Sequence, residues 1–274
     1  QMFGLLALAW AWLCATAFRA EASVLVDDTS RVQLRWAAAL FTALQKLFRL
    51  SVHIEGSEAL THGPMVLLVR HASIIDTLLP TLFIARPHGY RLRFVLKEEL
   101  LEDPCIDVAG LRLPNHFVRR GGERTTAELD AIHALARGLG PAEGVLLYPE
   151  GTRFSRHKQR AAITHIGRDQ PELAPLASRL RRVLPPKIAG TSAALDGAPD
   201  ADLVILAHSG LEGFSTVQDI WSGALLGKTI RLRLWRIPRH EVPAEKERRT
   251  ALLYEQWYRV DEFVTHHLEE NLSP

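Results

Sequence analysis

A histidine followed five residues later by an aspartate, in Arg70-His71-Ala72-Ser73-Ile74-Ile75-Asp76, is a pair that can work as a general base. A carboxylate on one ring nitrogen fixes the tautomer and raises the basicity of the other, which is what removing a proton from an alcohol needs. The spacing alone is weak. On a regular helix five steps turn through about 500° and leave the two side chains about 140° apart. They meet only if His71 stands in a turn and the helix starts near Ser73. Ser73 is a good N-cap and the β-rich Val66-Leu67-Leu68-Val69 precedes it, so the expected order is strand, turn with His71, then helix with Asp76. The plain alternative is a capping histidine beside an aspartate of the first helical turn.

A second segment, Tyr148-Pro149-Glu150-Gly151-Thr152-Arg153, follows about 75 residues downstream, a separation typical of one domain holding one site. Leu146-Leu147-Tyr148-Pro149 ends a buried strand at a proline. Glu150-Gly151-Thr152-Arg153 must then turn sharply and expose backbone N–H groups and one guanidinium. Such a turn suits a phosphate, which an arginine can grip with two donors. The plain alternative is a strand-to-loop turn in which Glu150 and Arg153 pair with each other.

The elements that must position these residues follow from the apolar pattern. From Val52 onward short apolar strands alternate with amphipathic segments, which argues for an α/β domain. Strands are predicted over Val52 to Glu55, Met65 to Val69, Leu92 to Leu96, Gly144 to Tyr148, Leu203 to Ala207 and Ile230 to Trp235. Helices are predicted over Ile75 to Ile84, Glu123 to Gly138, Pro171 to Leu180 and Pro243 to Glu270, and Ala189 to Asp202 reads as a loop. The last helix carries Leu252, Trp257, Val260 and Phe263 on a face suited to core packing. Ahead of this domain, residues 1–50 read as a separate anchoring or scaffolding region. Met2 to Phe18 is uncharged and rich in Leu, Ala and Trp, and as a helix it would cover roughly 27 Å, just short of a hydrocarbon core. It reads as a segment that spans or sits in a membrane. A signal peptide fits less well, because no basic stretch precedes the run. After a charged break from Glu21 to Arg31, Val32 to Leu50 has helical apolar spacing with a basic side, suited equally to a membrane surface or to packing on the domain.

The ordered motifs resemble the glycerolipid acyltransferases typified by 1-acylglycerol-3-phosphate acyltransferase, over roughly Val52 to Ala207. His71 and Asp76 match that family's His-x4-Asp block, which implies that His71 is the catalytic base and Asp76 its orienting partner. Phe117-Val118-Arg119-Arg120 resembles the second block and implies that Arg120 contacts the acceptor phosphate. Glu150, Gly151, Thr152 and Arg153 match the third block, again on the acceptor side. Val183-Leu184-Pro185-Pro186 is loosely similar to the proline-bearing fourth block. The family often has Asn where Arg70 stands, and Lys187 departs from its fourth block. The resemblance implies a mixed sheet flanked by helices, with an N-terminal hydrophobic helix or helix pair. It also implies acyl transfer from acyl-CoA or acyl carrier protein to the hydroxyl of a lysophospholipid, most simply 1-acylglycerol-3-phosphate, at the cytoplasmic face of a membrane bilayer. Remodelling of another lysophospholipid is the alternative. No cofactor beyond the acyl thioester is implied.

Composition narrows the rest. With 33 Lys and Arg against 31 acidic residues, the net charge of +2 gives no field for nucleic acid. Arginine clusters such as Arg91/Arg93 and Arg231/Arg233/Arg236 read mostly as solvated faces. The two cysteines, Cys14 and Cys105, allow no disulfide framework or zinc spacing, His266-His267 reads as exposed, and no metal is expected. Gly138-Leu139-Gly140-Pro141 lacks a P-loop and a dinucleotide fingerprint. A serine hydrolase using His208-Ser209-Gly210 lacks the leading glycine of a nucleophile elbow. A membrane-bound binding protein with an idle His71 is the non-enzymatic rival.

Overall fold

The chain is described from a computed structural model, over residues 6, 8–9, 22–61, 63–119, 125–214, 219, 223 and 225–270. Apart from Leu6, Leu8 and Ala9, the apolar run Met2 to Phe18 lies outside the described residues. Among those described, no helix is long and apolar enough to cross a membrane.

In chain order the main elements are α1 (Ala22–Phe48), β1 (Ser51–Glu55), β2 (Met65–Val69), β3 (Arg91–Lys97), α2 (Pro104–Arg112), β4 (His116–Val118), α3 (Thr126–Ala136), β5 (Glu143–Leu147), α4 (Arg156–Asp169), α5 (Ile188–Gly197), β6 (Asp202–Ser209), β7 (Thr229–Ile237) and α6 (Lys246–Glu270). The strands form one seven-stranded mixed sheet in the order β1-β7-β6-β2-β5-β3-β4. All neighbouring pairs run parallel except β6 with β7. Every residue of β2 is buried, as its unbroken apolar run requires of a central strand covered on both faces. Val66 and Leu68 face a core shared with α3, α5 and α6, where Trp257, Val260 and Val264 of α6 are fully buried. Met65, Leu67 and Val69 face the opposite core, to which α1 contributes Phe41 and Phe48. Helix α1 also packs on α2.

The sequence-predicted strands are all present, within one or two residues at each end. Several helical expectations need correction. Residues Glu21 to Arg31 are not a break: α1 runs through them from Ala22, and Arg31 pairs with Asp28 one turn back at 2.8 Å. The expected helix Ile75 to Ile84 is present but irregular, a 3-10 turn, Ile75–Leu78, running on into a π turn, Thr81–Ala85. Pro80 lies between them and has no N–H to continue an α-helical ladder. Pro171 to Leu180 is only a 3-10 turn and one α turn, with Pro175 inside it. The expected loop from Ala189 is the helix α5, whose Ala194 and Leu195 are fully buried. Helices α2 and α4 and the short β4 were not anticipated. His267 is buried rather than exposed and bonds the carbonyl of Phe263 through Nδ1 at 2.8 Å. The arginines at 93 and 236 serve the fold: Arg93 binds the carbonyls ending α3 and Glu143, and Arg236 binds Asp202.

Candidate functional site

Strands β2, β5 and β6 are mutually parallel neighbours, so their carboxyl ends deliver three loops to one edge of the sheet. In open α/β sheets this is where ligands bind. Beyond β2 come Arg70 and His71, beyond β5 come Tyr148 to Arg153, and His208 and Ser209 end β6. His71 lies in the turn ahead of the helical segment that carries Asp76, as the five-residue spacing demands.

Asp76 is completely buried and accepts from everything around it. Its Oδ2 takes the N–H groups of Ala72 at 2.6 Å and Ser73 at 2.7 Å, which folds the turn over the carboxylate. His71 Nδ1 is 3.1 Å from Oδ1 and 3.2 Å from Oδ2. Burial on its own would lift this carboxyl's pKa. Hydrogen bonds from His208 and His71 outweigh it and hold the group ionised, well below the usual carboxylate range. With Nδ1 committed to Asp76, Nε2 is the ring nitrogen left for proton transfer. The His71 side chain is 16% exposed, while the ring of Tyr148 covers it at a centroid distance of 4.7 Å.

Glu150 secures the same turn from below. Its Oε1 accepts from the backbone N–H of His71 at 2.8 Å and its Oε2 from that of Leu184 at 2.9 Å. The carboxylate therefore ties the third motif to the first and to the Val183-Leu184-Pro185-Pro186 segment, instead of reaching outward with Arg153. Burial pushes its pKa up to about 7 despite the buried Arg70 nearby. Phe154 N–H closes the arrangement on the carbonyl of His71 at 2.9 Å.

The outward side of the Glu150-to-Arg153 turn is cationic. Gly151 has φ +66°, and a β-carbon there would fall 2.4 Å from Lys187 Nζ, so glycine is what lets that amine lie against the turn. Lys158 Nζ donates to Thr152 Oγ1 at 3.0 Å and to the carbonyl of Arg153 at 3.2 Å. Partial burial, then repulsion from Arg153 and Lys97, lowers the Lys158 pKa; burial and then Lys97 lower that of Lys187. Four cations thus share one rim, an arrangement suited to a doubly charged anion. Arg120 lies outside the described residues. Its neighbour Arg119 is exposed and pairs with Glu98 at 3.3 Å.

Three residues of this site were missed from sequence. Arg70 is fully buried and donates to the His208 carbonyl at 2.7 Å and to Glu212 Oε1 at 2.6 Å. Glu212 Oε2 in turn takes the N–H of Gly210 at 2.7 Å. His208 lies with Nε2 2.9 Å from the Arg70 carbonyl and 3.5 Å from Asp76 Oδ2. A polar residue at the carboxyl end of each of two apolar strand runs, Arg70 after β2 and His208 in β6, was the available signal. Ser209 is buried and its Oγ has no hydrogen-bond partner, so the hydrolase reading finds no serine held by a histidine.

A family model described as Acyltransferase matches residues 51–196. No curated protein matches the chain. Among solved structures the chain is similar to the crystal structure of the 1-acyl-sn-glycerophosphate (LPA) acyltransferase, PlsC, from Thermotoga maritima. The two share 17% identity and a TM-score of 0.56, over all of this chain and 98% of that one. At that identity the likeness is one of fold.

Proposed function

From the premise that this chain belongs to the acyltransferase family, whose model spans more than half of it, we propose that it moves a fatty acyl group from a thioester to the free hydroxyl of a lysophospholipid. The thioester is acyl-CoA or acyl carrier protein. The leading acceptor is 1-acylglycerol-3-phosphate, which gives phosphatidic acid. His71 Nε2 takes the hydroxyl proton as the oxygen attacks the thioester carbonyl. The new C–O bond forms, the tetrahedral oxyanion collapses with loss of the C–S bond, and the departing thiolate receives the proton from His71. No acyl-enzyme is involved.

The observation that carries this reading is the His71–Asp76 pair set beside the cationic rim at the ends of β2 and β5. Arg153, Lys158 and Lys187 suit a phosphomonoester with two negative charges better than a phosphodiester with one, which favours lysophosphatidic acid over other acceptors. Work at a membrane surface fits the lipid acceptor and the exposed Leu40, Leu47 and Leu111 on the paired helices α1 and α2, and the cytoplasmic side is what the resemblance to the glycerolipid acyltransferases implies.

The test is release of CoA thiol from an acyl-CoA across a panel of lysophospholipids in detergent, for the wild type and His71→Ala. Acylation is expected to be greatest with lysophosphatidic acid and to fall by about a thousandfold in the variant. Equal rates for the two proteins on the preferred acceptor would sink the mechanism, and a wild type that acylates no lysophospholipid would sink the function.

A further inference from the structure

Asp76 serves two imidazoles, and the acyl-transfer chemistry uses only one of them. The second belongs to His208, fully buried at the end of β6. Its Nε2 faces two acceptors, the Arg70 carbonyl at 2.9 Å and Asp76 Oδ2 at 3.5 Å, and so must carry the proton. The link is returned: Arg70 donates from its guanidinium to the His208 carbonyl at 2.7 Å, and from its backbone N–H to the Leu206 carbonyl at 3.2 Å. Strand pairing between β2 and β6 is thereby continued past the last ladder residue, Val69, by side chains. What it reaches is the peptide immediately before His71.

We propose that His208 is a positioning residue for His71, holding the Arg70 carbonyl and Asp76 Oδ2 together so that the Asp76 carboxylate stays in place against His71 Nδ1. The inference rests on the acyltransferase reading for its kinetic consequences, though not for its geometry. Oδ2 is already met by Ala72 N–H and Ser73 N–H, and His208 Nε2 approaches it from the adjacent strand at 3.5 Å. The first two come from the turn itself. Among the described residues the third alone comes from a neighbouring strand of the sheet, which is what a base needs if its ring must not drift by an ångström during proton transfer. Arg70, closed from the far side by Glu212, keeps the His208 backbone in place.

Three substitutions separate this role from simple packing. His208→Phe keeps the ring volume without the donor, His208→Asn places its amide too near the backbone to reach Asp76, and His208→Gln can place an N–H where Nε2 stands. With lysophosphatidic acid and an acyl-CoA, kcat is expected to fall about 10- to 100-fold in the Phe and Asn variants, with both KM values within about threefold of wild type, and Gln is expected to recover most of the loss. A folded Phe or Asn variant with wild-type kcat overturns the proposal. So does an equal loss in all three, which would mean that only the ring's shape matters. Nitrogen-15 spectra of the His71 imidazole, assigned by its absence in His71→Ala, give a readout independent of turnover. One tautomer with Nδ1–H is expected in the wild type and a mixture in the Phe and Asn variants. If the wild type acylates nothing yet the tautomer shift occurs, the acyltransferase reading fails and the positioning role stands; an unchanged spectrum in both variants removes the role.

Discussion

Asp76 and Glu150 are buried carboxylates on either side of one histidine, yet their surroundings drive them apart. Asp76 gathers N–H donors and two imidazoles, and its pKa falls. Glu150 has two backbone donors, and burial prevails, lifting it from 4.5 to about 7. The consequences for stability have opposite signs. Asp76 contributes stability that is fully present above its ordinary 3.8 and is lost progressively as the pH falls below that value toward the group's lowered pKa in the fold. The fold binds the Glu150 proton more tightly than the unfolded chain does, so its contribution is full below 4.5 and disappears as the pH rises to about 7. The swing is on the order of 3 kcal/mol. Thermal melts of the wild type between pH 4.5 and 7 should show this decline, and Glu150→Gln should flatten it while lowering the midpoint throughout, since its amide N–H must face a backbone N–H. A decline of the same slope in the variant would assign it to another group. His71 and Asp76 were legible in the sequence because both belong to one turn, whose geometry five residues determine. Arg70 and His208 stand 138 positions apart, and no local pattern connects them.

At the scale of elements, what could be read was whatever announced itself as an apolar run. All six expected strands did so. Strand β4 did not, having three residues of which only Val118 is buried. Helix α4 offers only Ile163 and Ile166 as large apolar residues against the core and buries only Gln159, whose amide donates to the carbonyls of Leu180 and Val183, so its stripe was too narrow to read. Helix α5 was hidden by Gly190 and Gly197, residues that argue against a helix until its neighbour is known. Gly197 faces α3 so closely that a β-carbon would sit 2.2 Å from the carbonyl oxygen of His133. Backbone cannot yield there as a side chain can. Gly197→Ala is expected to cost about 1–3 kcal/mol in denaturant unfolding by forcing α3 and α5 apart. A variant as stable as the wild type would show that the two helices slide past each other freely.

Across the whole molecule, the C-terminal helix is linked to the site through two bridging carboxylates. Asp261 of α6 accepts from the N–H groups of Arg181 and Arg182, Leu184 two residues further donates to Glu150, and Glu150 holds His71. Asp261→Ala strands two partly buried donors, so a loss of about 1–2 kcal/mol in unfolding free energy is expected. If the segment does carry Glu150, kcat should drop about three- to tenfold in the same variant, measured where it is fully folded. Unaltered turnover would confine Asp261 to stability. Strand order also imposes a schedule on synthesis. Strand β2 has β6 on one side, and the residues that clasp across that seam, Arg70 and His208, are 138 positions apart. At ribosomal speeds of about 5–20 residues per second, His208 is made roughly 7 to 28 s after Arg70. Throughout that interval five consecutive apolar residues, Met65 to Val69, have an open hydrogen-bonding edge, which makes the nascent chain a customer for chaperones well before His208 can close on Arg70 and Asp76.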